Sequence, residues 1–157
     1  MQDTNMFFLQ KAIEISEHSI VNGGGPFGAV IVENNVIIAE AGNNVTNLND
    51  PTAHAEIQAI RAACKHKNSF SLENCTIYSS CEPCPMCLSA IYWAKISKIV
   101  FSASRHDAAE AGFSDAFLYK EIQLPISKRA IPTIQITHPQ TTKIFQNWTN
   151  SLDKTMY

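Results

Sequence analysis

A predicted β-hairpin followed by alternating helices and strands is the feature of this sequence that most constrains its fold. Two β-type runs, 27–33 and 36–41, flank Asn34 and Asn35, a residue pair that favours a tight hairpin turn. Each later pair of strands is separated by a helix, and a helical crossover joins parallel strands. We therefore predict an α/β fold with three layers, α/β/α, in which a five-stranded mixed sheet is flanked by helices.

The remaining elements follow from the spacing of apolar residues and from the positions of proline. The predicted later strands are 75–80, 98–103 and 131–136. The predicted helices are one near the N-terminus with Leu9, Ala12 and Ile20 on one face, one after Pro51, one after Pro85, a short one near 115–122 and a last one at about 140–153.

The length of 157 residues is enough for one domain with its own core and too short for two ordinary ones, so we expect residues 1–157 to form a single domain. A hydrophobic content of 45% and a charged content of 17% exclude a disordered or coiled-coil chain. No apolar run approaches the roughly 18 residues of a membrane span. The N-terminus carries Asp3, Lys11 and Glu14 without an uninterrupted apolar stretch. We therefore expect no signal peptide, no membrane partner and a cytoplasmic location.

The charge pattern argues against nucleic acid as a partner. Twelve basic and fourteen acidic residues give a net charge of −2, and the basic residues are scattered rather than clustered. Proteins that bind nucleic acid usually carry a basic patch. Beyond Lys143 the only basic residue is Lys154, so we expect a small neutral ligand rather than RNA.

The cysteines indicate a metal site rather than disulfide bonds. The chain has five of them, an odd number, and Cys81, Cys84 and Cys87 fall within one short segment. These three are too close together for a disulfide framework. We expect reduced thiols in a cytosolic protein, some of which bind metal. Cys64, Cys75 and Cys81 are expected to pack as small core residues, with a position next to the metal ligands as the alternative for Cys81.

Two short segments supply the residue types of that metal site. His54 and Glu56 lie near the predicted start of one helix, and Cys84 and Cys87 lie at the start of the next. One imidazole and two thiolates suit Zn²⁺, and three protein ligands leave the fourth tetrahedral position open, as in catalytic sites. We predict one Zn²⁺ per chain held by these three ligands, with Glu56 placed to reach the metal-bound water without being a ligand.

Other interpretations of these motifs fit less well. A Cys-x-x-Cys pair alone could be redox-active, but thioredoxin-like motifs lack the His-x-Glu partner. An iron–sulfur run needs a fourth cysteine followed by proline, and none comes after Cys87. Gly23, Gly25 and Gly28 match G-x-G-x-x-G, but here the motif follows a helix and enters a strand, the reverse of the dinucleotide fingerprint. We expect these glycines to allow a tight turn or a close approach of the backbone to a site.

The combination of H-x-E with P-C-x-x-C is the known signature of the zinc deaminases. Over nearly its full length the chain resembles the small zinc-dependent guanine deaminases of the cytidine deaminase-like superfamily. The segments that carry this resemblance are GGPFGAVIV, NNVT, NDPTAHAE, SCEPCPMC, AIYWA, DAAEAGF and the C-terminal Tyr157. The HAE and PCxxC motifs are shared throughout the superfamily, so the narrower likeness depends on AIYWA, DAAEAGFSD and the terminal tyrosine.

The resemblance implies hydrolytic deamination of guanine to xanthine and ammonia. In that reaction zinc-bound hydroxide attacks C2. Glu56 takes the water's proton, passes it to the adjacent ring nitrogen and then helps to protonate the departing ammonia. The resemblance also implies a homodimer in which the C-terminal segment, about 131–157, is exchanged between subunits and closes the partner's site.

The same resemblance implies a set of substrate-binding residues. Asn43 would hydrogen-bond the purine, Phe27 and Trp93 would wall the ring, and Asp115 and Tyr157 would contact it from the far side. Structural alternatives remain open for each of the five. The two aromatic residues could be core residues, the asparagine could belong to a turn, the aspartate could cap the following helix, and the terminal tyrosine could be frayed.

Competing functions also remain open. Guanosine or cytosine could replace guanine as the substrate. A tRNA adenosine deaminase would share the HAE and PCxxC motifs but would be expected to carry a basic surface. A structural zinc-binding scaffold is the alternative outside enzymes, and Glu56 argues against it because structural zinc sites usually close with a fourth protein ligand.

Overall fold

The structure is a computed structural model that describes residues 2–157, except for the side chains of residues 2 and 3. Its contacts divide the chain into a larger unit that ends at Asp115 and a smaller unit from Ala116 to Tyr157. The elements of the larger unit are α1 (Gln2–Val21), β1 (Gly28–Glu33), β2 (Val36–Gly42), α2 (Val45–Leu48), α3 (Ala55–Lys67), β3 (Cys75–Cys81), α4 (Pro85–Trp93), β4 (Lys98–Ala103) and α5 (Arg105–Glu110). Those of the smaller unit are α6 (Ala116–Gln123), a 3-10 turn (Ile126–Lys128) and α7 (Pro139–Asn150).

The strands of the larger unit form one mixed sheet in the order β2-β1-β3-β4. β1 pairs antiparallel with both β2 and β3, and β3 pairs in parallel with β4. Asn34 and Asn35 both have positive φ, 51° and 63°, as a type I′ hairpin turn requires. The predicted hairpin is therefore confirmed, and so is the parallel pair joined by a helical crossover.

Helices cover the sheet on both faces because successive side chains of a strand point to opposite sides. One face packs against α3 and α4, and its buried residues include Ala29, Ile31, Ala59, Ile77 and Ile91. The other face packs against α1, with a buried layer of Phe8, Ala12, Val30, Val32 and Tyr78. This arrangement fixes β3 at the centre of the sheet, between the two helical layers.

The prediction of a fifth strand at 131–136 is wrong, since the part of the chain that the structure describes forms four strands and none of them lies there. A β-strand forms only where a neighbouring strand accepts and donates its backbone hydrogen bonds. An apolar, β-branched sequence such as IPTIQI does not by itself provide a neighbouring strand. Pro132 also has no N–H group to donate. The side chains of Ile131, Ile134 and Ile136 are all exposed.

The smaller unit, taken by itself, buries none of its described side chains. Its exposed residues nevertheless include several large apolar ones, namely Phe117, Ile122, Ile134, Phe145, Trp148 and Leu152. No helix among residues 2–157 is both long enough and apolar enough to cross a lipid bilayer.

Candidate metal centre

His54 and Cys84 occupy equivalent positions, each immediately before the first residue of a helix. His54 precedes α3 with φ −66° and ψ 154°, and Cys84 precedes α4 with φ −63° and ψ 167°. Neither side chain accepts a hydrogen bond from the first turn of its own helix, the usual role of a residue at this position. Pro85 fits the first helical position, where an N–H group would have no partner. Both side chains are thus available to a common site.

The side chains of His54, Cys84 and Cys87 converge on one point. Their potential ligand atoms all lie within 4.8 Å of one another. Nδ1 of the histidine is 3.6 Å from Cys84 Sγ and 3.5 Å from Cys87 Sγ. Around a tetrahedral zinc ion with Zn–N of about 2.0–2.1 Å and Zn–S of about 2.3 Å, neighbouring ligand atoms lie roughly 3.5–3.8 Å apart. The three residues therefore fit zinc and leave one tetrahedral position for another ligand.

The electrostatics of the cluster favour binding of a cation. The Cys84 thiol has a pKa lowered to about 4 by its hydrogen bond with Cys87 and by the adjacent His54, although burial alone would raise this pKa. The same hydrogen bond and burial raise the pKa of Cys87, so Cys84 ionises more readily than Cys87. The hydrogen bond with Cys84 raises the pKa of His54. A metal dication would displace these protons, because thiolate and neutral imidazole are the ligating forms.

Glu56 lies beside the cluster in the first turn of α3 and is only 6% exposed. Its Oε2 is 3.4 Å from Cys87 Sγ, and its Oε1 accepts a hydrogen bond from Ser79 Oγ at 3.2 Å. Burial raises the pKa of this carboxyl group, because desolvation disfavours the charged form. A carboxyl group with a raised pKa next to a metal cluster is suited to accept and return a proton near neutral pH.

Asn43 follows β2 and is held in one orientation by the backbone. Its Oδ1 accepts hydrogen bonds from the N–H groups of Gly25 and Val45, both at 3.2 Å. The side-chain nitrogen is thereby left to donate elsewhere. The loop of residues 23–25 can lie this close to Asn43 because it consists of glycine. A Cβ atom on Gly24 would lie 2.1 Å from the Asn43 carbonyl oxygen. Gly25, one of the glycines expected to allow a tight turn or a close approach, donates its N–H group to the same side chain.

Phe27 and Asp115 both lie in the larger unit near this region. The half-buried Phe27 ring packs edge-on against Phe113, with 5.0 Å between ring centroids and 86° between planes. Burial raises the pKa of Asp115, and the charge of Cys84 adds to this effect, so the carboxyl group lies within electrostatic reach of the metal cluster. The positive charge of Arg105 lowers the pKa of the same carboxyl group and so partly offsets this increase.

Trp93 and Tyr157 were predicted to complete the substrate pocket. Trp93 is the last residue of α4 and is 66% exposed, so the alternative that it is a core aromatic does not hold. Tyr157 belongs to the smaller unit and is exposed there. The pocket roles of both residues stay predictions.

The sequence patterns did not point to Ser79 or Phe113 as parts of the site. Ser79 is a nearly inaccessible polar residue on a strand face that is otherwise apolar. Buried polar groups normally have hydrogen-bond partners. A serine in an apolar strand pattern was therefore the one indication in the sequence that Ser79 contacts another polar group. Phe113 is the aromatic residue of the DAAEAGF segment, and its contact with Phe27 depends on packing that spacing alone does not reveal.

Comparison with protein families places most of the larger unit in a known group. Residues 2–103 match the family described as the cytidine and deoxycytidylate deaminase zinc-binding region. This match includes all three residues of the metal cluster and Glu56.

Two comparisons with individual proteins extend beyond that region. The guanine deaminase of Bacillus subtilis (strain 168) is 52% identical over 151 residues, which cover 96% of this chain and 97% of that protein. An X-ray structure of guanine deaminase from Bacillus subtilis superposes with a TM-score of 0.94 and 51% identity, covering 97% of this chain and 98% of the other. The likeness therefore includes nearly all of both units.

A tRNA-specific adenosine deaminase is similar over a shorter stretch. The protein from Aquifex aeolicus (strain VF5) is 43% identical over 97 residues. These residues cover 62% of this chain and 64% of that protein, so the match spans less than two thirds of either.

Proposed function

This chain belongs to the cytidine and deoxycytidylate deaminase family, and on that premise we propose that it hydrolyses guanine to xanthine and ammonia. The observation that carries the proposal is the set of three converging ligands with a buried, non-ligating carboxylate beside it. The choice of guanine is supported by the 52% identity to a guanine deaminase over 96% of this chain. The shorter match to a tRNA-specific adenosine deaminase gives weaker support to RNA as the substrate.

His54, Cys84 and Cys87 would hold one zinc ion, as their spacing fits a tetrahedral site. When bound there, zinc supplies Lewis-acid chemistry and makes water a nucleophile at neutral pH. Cys87 is buried and the other two ligands are half-buried, so bulk water has limited access to the ligand atoms and competes less with them for the metal. The first turns of α3 and α4 also place positive helix ends next to the thiolates, which favours their charged form.

Glu56 would carry the proton through the reaction. Its Oε2 faces the metal cluster, so it can take a proton from the attacking water and deliver it to the ring nitrogen next to C2. The carboxylate then takes the second proton of the attacking water, from the hydroxyl group now on C2, and gives it to the amino group, which leaves as ammonia. Burial supports this role, because the raised pKa keeps the acid and base forms both accessible.

Substrate recognition would depend on residues of the larger unit together with the C-terminus. The Asn43 side-chain nitrogen is free to donate to an acceptor atom of the purine, since the oxygen of that side chain is already held by the backbone. Phe27, braced by Phe113, and Trp93 would bound the planar ring. Asp115 and Tyr157 would contact the edge of the purine that lies away from the metal.

We further propose a homodimer in which the segment of about 131–157 is exchanged between subunits. The smaller unit shows a run of exposed apolar side chains and buries none of them. Exposed apolar patches of this kind mark interaction surfaces.

A substrate panel tests the proposed function. The zinc-loaded protein is incubated with guanine, guanosine, cytosine, adenine and a transfer-RNA anticodon stem-loop, and ammonia release is measured for each. We expect turnover of guanine and at least about a hundredfold lower kcat/KM for the others, because a site built to hydrogen-bond one substrate leaves its polar groups unpaired with another. Activity on the stem-loop without activity on guanine would overturn the proposal.

A further inference from the structure

Ser79 carries a buried hydroxyl group on β3, the central strand. It is neither a metal ligand nor the proton carrier, so the proposed function gives it no role. It is 1% exposed and belongs to the face of β3 that packs against α3 and α4. The residues at the preceding positions of that face, Cys75 and Ile77, are both part of the apolar core. A hydroxyl group in such a row costs free energy unless it has a hydrogen-bond partner.

The partner of this hydroxyl group is Glu56. Ser79 Oγ donates to Glu56 Oε1 at 3.2 Å, a contact that links the central strand with the first turn of α3. The second carboxylate oxygen, Oε2, lies 3.4 Å from Cys87 Sγ. One oxygen of Glu56 is therefore fastened to the sheet, while the other is directed at the metal cluster.

We propose that Ser79 is a positioning residue for Glu56, which holds Oε1 so that Oε2 stays directed at the reacting atoms. The inference rests on the proposed function, because it assigns Glu56 the proton transfers of that reaction. A glutamate side chain has three rotatable bonds and loses considerable rotamer freedom when it is fixed. The hydrogen bond from a rigid strand supplies that restriction before the substrate arrives.

A positioning role predicts an effect on turnover rather than on binding. Ser79 contacts the proton carrier and, in this proposal, no atom of the substrate. Displacement of a catalytic group by about an ångström can lower a rate by up to a hundredfold. Loss of the single hydrogen bond should therefore lower kcat and leave KM nearly unchanged.

The test compares Ser79→Ala with Ser79→Thr. Alanine removes the hydroxyl group with little change in volume, whereas threonine keeps it and adds a methyl group opposite the small Ala29 of β1. We expect Ser79→Ala to lower kcat for guanine about tenfold, with KM within about twofold, because a hydrogen bond to a charged group is lost. Zinc content should stay at one per chain, and Ser79→Thr should recover most of the lost kcat.

Ser80→Ala is the matched control on the same strand. The Ser80 hydroxyl group accepts from the Gly28 N–H at 3.0 Å and does not bond Glu56. We expect this variant to change the melting temperature without lowering kcat more than about twofold. The comparison distinguishes a general effect of removing a buried hydroxyl group from the specific effect of removing the Ser79 hydroxyl group.

A crystal structure of zinc-loaded Ser79→Ala provides a readout that does not depend on activity. The proposal predicts more than one orientation for the Glu56 carboxylate. A single orientation equal to that of the unmodified protein would overturn the positioning role, as would an unchanged kcat or a rise in KM that matches the fall in kcat. If the unmodified protein releases no ammonia from guanine, the proposed function fails instead, whatever the orientation of Glu56.

Discussion

His54 and Cys84 each stand immediately before a helix, and their side chains meet with 3.6 Å between Nδ1 and Sγ. The two helices thereby present their N-terminal ends to one point. Because a helix N-terminus carries partial positive charge, this arrangement stabilises the thiolate that a metal needs. Glu56 lies two residues after His54 and Cys87 lies three residues after Cys84, and Glu56 Oε2 is 3.4 Å from Cys87 Sγ.

Removal of one ligand should abolish zinc binding without unfolding the larger unit. We expect one zinc per chain in the unmodified protein and almost none in Cys84→Ala after dialysis, because two remaining ligands cannot complete a stable site. Elemental analysis with protein quantification measures the ratio. Cys64→Ala is the control, since Cys64 packs at the edge of the core and lies outside the cluster. Stoichiometric zinc in Cys84→Ala would refute the ligand assignment.

Glu56→Gln should keep zinc and fold but lose turnover. The amide has nearly the same shape as the carboxylate but cannot take up and return a proton. We expect kcat for guanine to fall by about 10²–10⁴, the range for loss of a general acid–base group. Steady-state ammonia release and zinc analysis on the same preparation measure both properties. Glu17→Gln, an exposed carboxylate on α1, serves as the control and should match the unmodified protein.

The features that were predicted from sequence are those that depend on near neighbours in the chain. His54, Glu56, Cys84 and Cys87 are paired within short motifs at helix starts, and the structure brings both motifs together. The turn at Asn34 was likewise predictable, since asparagine tolerates positive φ.

Some of the features that were missed depend on residues distant in sequence. Ser79 reaches Glu56 across 23 positions, and no spacing rule links a strand residue with a helix residue at that distance. The sequence 131–136 has strand-like composition, but a strand forms only where another strand accepts its hydrogen bonds. The helix α5 was not predicted either, although Ser104 and Asp107 form a capping box at its start.

Asn43→Asp should weaken guanine binding while the loop stays ordered. A carboxylate oxygen can still accept from Gly25 and Val45, but the side chain no longer offers N–H donors to the purine. We expect KM for guanine to rise about tenfold with little change in melting temperature, as for the loss of one hydrogen bond. Asn35→Asp at the far end of the hairpin is the matched control. Equal KM values for Asn43→Asp and the unmodified protein would return Asn43 to a purely structural role.

Complementation between two defective chains would reveal whether Tyr157 acts in its own subunit or in the partner's. Deletion of Tyr157 should raise KM or lower kcat for guanine if the terminus forms part of the pocket. Unchanged kinetics would indicate a frayed end. A chain with Glu56→Gln retains Tyr157, and a chain lacking Tyr157 retains Glu56, so each supplies what the other lacks.

If the C-terminal segment is exchanged, a mixed dimer of these two chains contains one complete site. Co-refolding at equal concentration should then restore about a quarter of the activity of the unmodified protein, because about half of the dimers are mixed and each has one complete site of two. Light scattering on the same sample should give the mass of a dimer. The control replaces the Tyr157-deleted chain with one that also carries Glu56→Gln, so that no pairing can be complete. If the terminus acts within its own subunit, co-refolding yields no more ammonia than the two chains measured separately.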